Sequence, residues 1–205
     1  MRMTLPNKMT LGRLLASPIL FLLILFYEDP LYRILAFFIF LAAALTDIYD
    51  GYLARKYGDV TNFGMVIDPL ADKVLLSAAF IAFYILGGRN DGVKSEITRE
   101  VGLWVVLVVL GREIIIMIFR YYSLYRGRVI SASRLAKVKT LTQNFFIGSI
   151  LVRLIHHSLA GKNRPLQFSG FDEFHSNLNT LSLWAVLFLT VTSGVYYVWQ
   201  NRYRA

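Results

Sequence analysis

The sequence predicts an all-α integral membrane protein in which six transmembrane helices form a single domain over residues 1–205. Hydrophobic residues make up 56% of the chain and charged residues 17%, against about 25% charged residues in a typical soluble domain. Six apolar runs follow one another without a repeat, a low-complexity tract or a second domain between them. This composition excludes an ordinary soluble enzyme, a disordered chain and a coiled coil.

The apolar runs give the order of the helices. They are Leu14–Tyr27, Ile34–Thr46, Val74–Gly88, Val101–Gly111 with Ile114–Phe119, Leu141–Val152 and Leu178–Gln200. Several runs are shorter than the roughly 20 residues that a bilayer-spanning helix needs, so charged residues at their ends must belong to the helices. The predicted helices are 10–27, 31–57, 66–87, 100–126, 134–158 and 178–201. The hydrophilic stretches Arg89–Glu100 and Ala160–Asn177 are expected to be turns.

The distribution of basic residues predicts the orientation. The loops on the side of the N-terminus carry more Lys and Arg than the loops on the other side, so both termini are expected to be cytoplasmic. The protein is then a multi-pass protein of the cell's inner (cytoplasmic) membrane. Its net charge of +9 is attributed to loops that face anionic lipid, and no nucleic-acid partner is expected. The absence of cysteine excludes disulfides and thiolate metal sites.

Charged residues enter the predicted spans at four places: the end of helix 2, the start of helix 3, the end of helix 4 and the start of helix 5. In an alternating topology all four places lie at the cytoplasmic leaflet. Ionisable groups at membrane depth are costly and usually face water or a partner. The pattern therefore predicts one cavity that is open to the cytoplasm.

Four aspartates are the sharpest feature of this region. Asp47 and Asp50 are three residues apart on helix 2, and Asp68 and Asp72 are four apart on helix 3, so each pair shares one helix face. Carboxylates that converge in a low-dielectric site either become protonated or hold divalent cations. Oxygen ligands without histidine or cysteine favour a hard ion, Mg²⁺ or Mn²⁺.

Small and basic residues accompany the aspartates. Gly51, Ala54 and Gly64 would let a bulky nucleotide diphosphate approach the helix backbones, and Arg55 would supply a counter-charge for it. A chance set of acids at helix ends is the alternative, and the fixed spacing of so many positions makes it improbable.

The pattern D-x2-D-G-x2-A-R-x8-G-x3-D-x3-D is matched at every position from Asp47 to Asp72. It resembles the signature of the CDP-alcohol phosphotransferases, membrane enzymes of phospholipid synthesis with six helices. The resemblance implies a homodimer, a CDP-diacylglycerol donor and two divalent ions, Mg²⁺ or Mn²⁺, held by Asp47, Asp50, Asp68 and Asp72. It implies Asp72 as the general base as well, with a cytidine diphosphate site lined by Gly51, Ala54, Arg55 and Gly64.

Basic residues near the predicted cavity indicate the acceptor. They are Arg112, Arg120, Arg134, Lys137 and Lys139. They suit an anionic, phosphorylated acceptor better than serine or choline, although bases on the cytoplasmic side are also expected from orientation alone. Lys137 and Lys139 point about 200° apart on an ideal helix, so only one of them is expected to face the site.

Local stretches outside the signature resemble the bacterial phosphatidylglycerophosphate synthases within this family. They are Pro6-Asn7 with Thr10, Arg13 and Pro18; Asp68-Pro69-Leu70-Ala71-Asp72-Lys73; Arg112-Glu113-Ile114-Ile115; and Lys137-Val138-Lys139-Thr140. The resemblance implies sn-glycerol 3-phosphate as acceptor, with phosphatidylglycerol phosphate and CMP as products. It places Arg112, Lys137 and Lys139 at the acceptor phosphate, together with Arg134 from the basic set, and Asn7, Thr10 and Arg13 near the donor.

Two alternatives remain open from the sequence. A phosphatidylinositol phosphate synthase, or another CDP-alcohol phosphotransferase, would use similar bases. A cation or proton transporter, from a different class, would distribute acids through the bilayer depth, whereas the outer halves of these spans are nearly free of acids. Helix 6 offers nothing diagnostic and is expected to be scaffold.

Overall fold

The computed structural model describes residues 5–57, 62–89, 97–125, 134–162 and 169–202. For some helical residues, including 5–9, 47–57, 62–69, 72, 120 and 134, only the backbone is described. Six long helices occupy these ranges: α1 (Leu5–Phe26), α2 (Pro30–Tyr57), α3 (Asn62–Gly87), α4 (Leu103–Tyr125), α5 (Arg134–Lys162) and α6 (Ser169–Arg202). The described ranges contain no strand, so the all-α prediction is confirmed.

Two helices begin more than four residues before their predicted starts. The first starts at Leu5 rather than at residue 10, with Pro6 in its first turn, where a missing backbone N–H does no harm. The last starts at Ser169 rather than at residue 178. The expectation of a turn over Ala160–Asn177 is therefore wrong for residues 169–177, and also for residues 160–162, which belong to α5. The other helix ends lie within four residues of the predicted ones.

The early start of α6 is explained by contacts with α5. The Phe171 ring lies 4.0 Å from the ring of His156 and 3.8 Å from that of His175, measured between centroids. Asp172, in the first turn of α6, places its Oδ1 3.6 Å from His156 Nδ1. A carboxylate in the first turn is also favourable for the helix dipole. Tertiary packing therefore extends the helix beyond its apolar part.

The third helix is central to the bundle. It packs most extensively against α1 and also contacts α4 and α5, while α1 contacts α2, α2 contacts α5, and α6 contacts both α4 and α5. Phe80 of α3 and Phe146 of α5 are almost completely buried, and their rings stack with centroids 5.8 Å apart. This arrangement brings α3, α4, α5 and α6 to one polar cluster.

Two arginines join three helix ends at one end of the bundle. Arg33, near the start of α2, donates from Nη1 to the carbonyl oxygen of Ile24 over 2.7 Å. Arg89, just after α3, donates from Nη1 to the carbonyl oxygen of Leu25 over 2.9 Å. The last carbonyls of a helix have no partner within the helix, and here two of them receive charged donors. The end of α1, the start of α2 and the end of α3 therefore meet.

The outer surface carries many exposed apolar side chains. Leu31 of α2 is 71% exposed, and Leu181 and Phe188 of α6 are 69% and 68% exposed. Among the described residues, one helix is long and apolar enough by itself to cross a membrane, Gly170–Tyr197, with 28 residues. Thr10–Phe26, Pro30–Thr46 and Lys73–Gly87 are apolar but shorter. Extended apolar surface of this kind marks contact with lipid or with another protein.

Candidate active site

The backbones of α2 and α3 carry the four aspartates at matching depths. Asp47 and Asp50 lie ten and seven residues before the end of α2, and Asp68 and Asp72 lie six and ten residues after the start of α3. The helix rise is about 1.5 Å per residue. Along the helix axes, Asp47 is therefore about 15 Å from the end of α2, and Asp72 is about 15 Å from the start of α3. The corresponding distances for Asp50 and Asp68 are about 10 Å. Five Cα–Cα steps join those ends, which allows at most about 18 Å between them.

The aspartate side chains lie outside the described part of the structure, as do those of Ala54 and Arg55. Gly51 lies on α2 with those two residues, and Gly64 lies on α3. Among the side chains that are described, no group of three or more histidines and carboxylates could hold a metal ion. An all-carboxylate donor set on two consecutive helices fits a hard divalent cation, so the four aspartates remain the candidate ligands.

One residue beyond Asp72, five side chains from four helices form a polar cluster, called here the Glu113 cluster. Its members are Lys73 of α3, Arg112 and Glu113 of α4, Lys139 of α5 and Ser193 of α6. Lys139 Nζ forms an ion pair and hydrogen bond with Glu113 Oε1. Arg112 Nη1 lies 3.3 Å from the same oxygen, and Lys73 Nζ lies 3.7 Å from Oε2. Three cations therefore surround one carboxylate.

Two further hydrogen bonds fix the cluster to the helices. Lys73 Nζ donates to the backbone carbonyl oxygen of Glu113 over 3.0 Å. Arg112 Nη2 donates to Ser193 Oγ over 3.0 Å. Glu113 and Ser193 are buried, with 7% and 1% of their surfaces exposed. Charge-assisted bonds in such a site are shorter and stronger than bonds between neutral groups.

The structure separates the basic residues that the sequence grouped together. Lys139 is buried against Glu113, whereas Lys137 is exposed, as the 200° difference on the helix predicts. Arg112 lies in the cluster with Lys139. Arg134 is the first residue of α5, and its side chain, like that of Arg120, lies outside the described residues.

The residues expected near the donor lie on α1. Thr10 and Arg13 are buried side chains about one turn apart, with 2% and 3% of their surfaces exposed. Asn7 belongs to the first turns of the same helix, and its side chain is outside the described part. Because α1 packs against α2 and α3, Thr10 and Arg13 lie on the helix next to those that carry the aspartates.

The contribution of α6 was not predicted, and the expectation that helix 6 is only scaffold is incomplete. Ser193 orients Arg112, and a Cβ on Gly194 would lie 3.5 Å from Arg112 Cγ, so the two helices are close there. The available signal was a patch of small and polar residues, Thr190, Ser193 and Gly194, on one side of an apolar helix.

A groove of about 570 Å³ opens between α4 and α6 beside the cluster. Its lining is apolar except for Arg112, and it includes Gly111, Gly194 and Trp199. The cluster is therefore bordered by an apolar surface on the side of α4 and α6.

Comparison with known proteins gives the class. A family model described as CDP-alcohol phosphatidyltransferase matches residues 3–195 of the chain. The chain therefore belongs to the CDP-alcohol phosphatidyltransferase family, and the resemblance inferred from the aspartate pattern is confirmed. Members of this family are membrane transferases that generally depend on a divalent metal ion. This membership sets aside the transporter alternative.

Relatives with a more specific name cover nearly the whole chain. The CDP-diacylglycerol–glycerol-3-phosphate 3-phosphatidyltransferase of Bacillus subtilis (strain 168) is 32% identical over 96% of this chain and 94% of its own. The protein of the same name from Rickettsia bellii is 32% identical over 94% and 92%. A probable phosphatidylglycerophosphate synthase of Mycobacterium tuberculosis is 35% identical over 95% of this chain and 79% of its own.

Proposed function

We propose that the protein transfers the phosphatidyl group of CDP-diacylglycerol to sn-glycerol 3-phosphate and releases CMP. The observation that carries this proposal is the Glu113 cluster, which gathers Lys73, Arg112 and Lys139 next to Asp72. A largely buried group of cations favours a phosphate monoester over an acceptor without net charge, such as glycerol or zwitterionic serine. The relatives that cover nearly the whole chain are named for the same acceptor or for its product, which supports this acceptor.

The reaction is an in-line displacement at phosphorus. Asp72 accepts the proton of the acceptor hydroxyl while that oxygen forms a bond to the β-phosphorus of the donor. The bond between this phosphorus and the oxygen of the CMP phosphate breaks, and its electron pair leaves with CMP. Arg112 and Lys139 hold the acceptor phosphate, which orients the hydroxyl for attack.

The metal requirement is assigned to the aspartates. Asp47, Asp50, Asp68 and Asp72 would hold two Mg²⁺ or Mn²⁺ ions, which neutralise charge on the diphosphate and on the leaving CMP when bound. Arg55, with the small residues Gly51, Ala54 and Gly64, would accommodate the nucleotide diphosphate. Asn7, Thr10 and Arg13 would contact the donor from α1.

The proposal includes a membrane setting. The exposed apolar residues of α1, α2, α4 and α6 would face lipid, and all six helices would span the inner membrane with the active site toward the cytoplasm. Charged residues lie toward one end of α2, α3, α4 and α5. They explain why the apolar part of most helices is shorter than a membrane-spanning segment. A homodimer and a single domain over residues 1–205 are part of the proposal.

The test is a panel of acceptors. Purified protein in detergent receives CDP-diacylglycerol, Mg²⁺ and one of four alcohols: sn-glycerol 3-phosphate, inositol phosphate, serine or glycerol. We expect CMP release with sn-glycerol 3-phosphate and not with serine or glycerol. Release with inositol phosphate alone would assign the protein to the synthases of phosphatidylinositol phosphate instead.

A further inference from the structure

The Glu113 carboxylate is surrounded by cations from three helices. Its two oxygens contact Lys139 and Arg112 on one side and Lys73 on the other, and its backbone carbonyl accepts from Lys73. One residue therefore connects the two proposed acceptor-binding bases to the turn of α3 that carries Asp72.

Stability alone is a poor reason to bury these charges. A buried ion cluster contributes little compared with well-packed apolar side chains of similar volume, because every charge loses its hydration. The three residues that follow Glu113 on α4 are isoleucines, and Ile116, about one turn on from Glu113, is buried among apolar side chains of this helix bundle. A role in arranging the bases accounts for the carboxylate better than a contribution to folding.

The charge of the cluster matches the proposed acceptor. Three cations and one carboxylate leave two positive charges in excess. A phosphate monoester carries about −1.5 to −2 charges at neutral pH, so the cluster with this ligand is close to neutral. Without Glu113 the three cations would repel one another and turn toward solvent before the acceptor arrived.

We propose that Glu113 is a positioning residue that holds Arg112, Lys139 and Lys73 in the arrangement required by the acceptor phosphate. This proposal rests on the proposed function. Glu113 acts through the bases, and Ser193 accepts a hydrogen bond from the second terminal nitrogen of Arg112, Nη2. The predicted consequence of losing Glu113 is weaker acceptor binding with unchanged donor binding.

The decisive variant is Glu113→Gln, which keeps the size of the side chain and removes its charge. Glu100→Gln is the matched control, because Glu100 is an exposed carboxylate whose partner is Thr180 Oγ1, 2.6 Å away and outside the cluster. KM for sn-glycerol 3-phosphate and KM for CDP-diacylglycerol are measured for both variants and for the wild type. The thermal stabilisation of each protein by sn-glycerol 3-phosphate alone is a second, non-catalytic measurement.

We expect Glu113→Gln to raise the acceptor KM by about tenfold or more, as loss of a charge-assisted contact does, with the donor KM within about twofold of wild type. The stabilisation by sn-glycerol 3-phosphate should be lost as well. Glu100→Gln should behave as wild type in all three measurements. If Glu113→Gln does not fold, Glu113→Asp keeps the charge at a shorter reach and should raise only the acceptor KM, by about threefold or more.

Contrary results separate the two proposals. Suppose that the wild type is active and that folded Glu113→Gln has the same acceptor KM and the same stabilisation by sn-glycerol 3-phosphate. This result overturns the role of Glu113 and leaves the proposed reaction intact. An equal rise of both KM values also overturns it. A wild-type protein that releases no CMP with sn-glycerol 3-phosphate overturns the proposed function and the role of Glu113 with it.

Discussion

The ammonium of Lys73 donates a 3.0 Å hydrogen bond to the backbone carbonyl of Glu113, which joins α3 to α4. Lys73 directly follows Asp72, so the helix turn that carries the proposed general base is tied to the helix that carries Arg112. The bases that would bind the acceptor and the carboxylate that would activate it therefore share one rigid connection. The predictions below test the parts of this arrangement separately.

Replacement of the proposed base should stop the chemical step. We expect Asp72→Asn to lower CMP release by about 100-fold or more, because the acceptor hydroxyl loses its proton acceptor and the metal site loses a ligand. Asp172→Asn is the control, since the Asp172 side chain is half exposed and contacts His156 outside the cluster. The steady-state rate of CMP release at saturating substrate concentrations is measured for both variants. Full activity of Asp72→Asn would remove the assignment of the base.

The two lysines of α5 should differ in importance. Lys139→Met removes a buried cation that contacts Glu113, and we expect the KM for sn-glycerol 3-phosphate to rise by about tenfold or more. Lys137→Met removes an exposed cation two residues away and should change this KM by less than about threefold. The reverse order of effects would show that the exposed lysine binds the acceptor.

The contact between α4 and α6 should affect acceptor binding moderately. Ser193→Ala removes the acceptor of the Arg112 Nη2 hydrogen bond, which corresponds to about 0.5–1.5 kcal/mol and a rise of about two- to tenfold in the acceptor KM. Ser158→Ala on α5, where the hydroxyl bonds only within its own helix, is the control and should leave this KM unchanged. Equal acceptor KM values for Ser193→Ala and Ser158→Ala would argue against a role for α6 in the site.

Removal of divalent ions should abolish the reaction reversibly. We expect EDTA to stop CMP release and added Mg²⁺ or Mn²⁺ to restore it, because the diphosphate and the departing CMP need positive charge that Arg55 alone does not supply. Ca²⁺ is the control ion, since its larger size and looser coordination fit a site built for Mg²⁺ poorly. Activity that persists in EDTA after extensive dialysis would contradict the metal assignment.

The arginine at the opposite end of the bundle should matter for stability alone. Arg33→Met leaves the Ile24 carbonyl without its charged donor, at a cost of about 1–3 kcal/mol. We expect a lower unfolding temperature in detergent and unchanged KM values for both substrates. Arg99→Met, at an exposed arginine, should change neither quantity. A raised acceptor KM in Arg33→Met would mean that the two ends of the bundle are coupled.

The sequence predicts the helices well where apolar runs define them. The last residues of α2 and α3, Tyr57 and Gly87, are the predicted ones, because the apolar runs and the length of a bilayer-spanning helix together set them. The start of α6 was not predicted, because it depends on the packing of Phe171 between His156 and His175. His156 belongs to α5, and the sequence of residues 169–177 does not show that α5 lies next to them. Contacts between distant segments limit prediction there.

Some features of the candidate site could likewise be predicted from the sequence, and others could not. Helical geometry alone separated Lys137 from Lys139, and the apolar surroundings of Arg112 indicated that it needs a partner. The hydrogen bond between Arg112 and Ser193 could not be predicted, because it depends on how α4 and α6 cross. The convergence of Asp47, Asp50, Asp68 and Asp72 stays a prediction that rests on their spacing and on their matching depths along α2 and α3.

The apolar residues on the outside of α1, α2, α4 and α6 have a consequence for kinetics. Where lipid covers them, as proposed, enzyme and CDP-diacylglycerol share one two-dimensional phase, and the rate of encounter follows the mole fraction of donor among the surrounding amphiphiles. Added detergent then dilutes the donor at constant bulk molarity. Only the water-soluble acceptor is described by an ordinary concentration in solution.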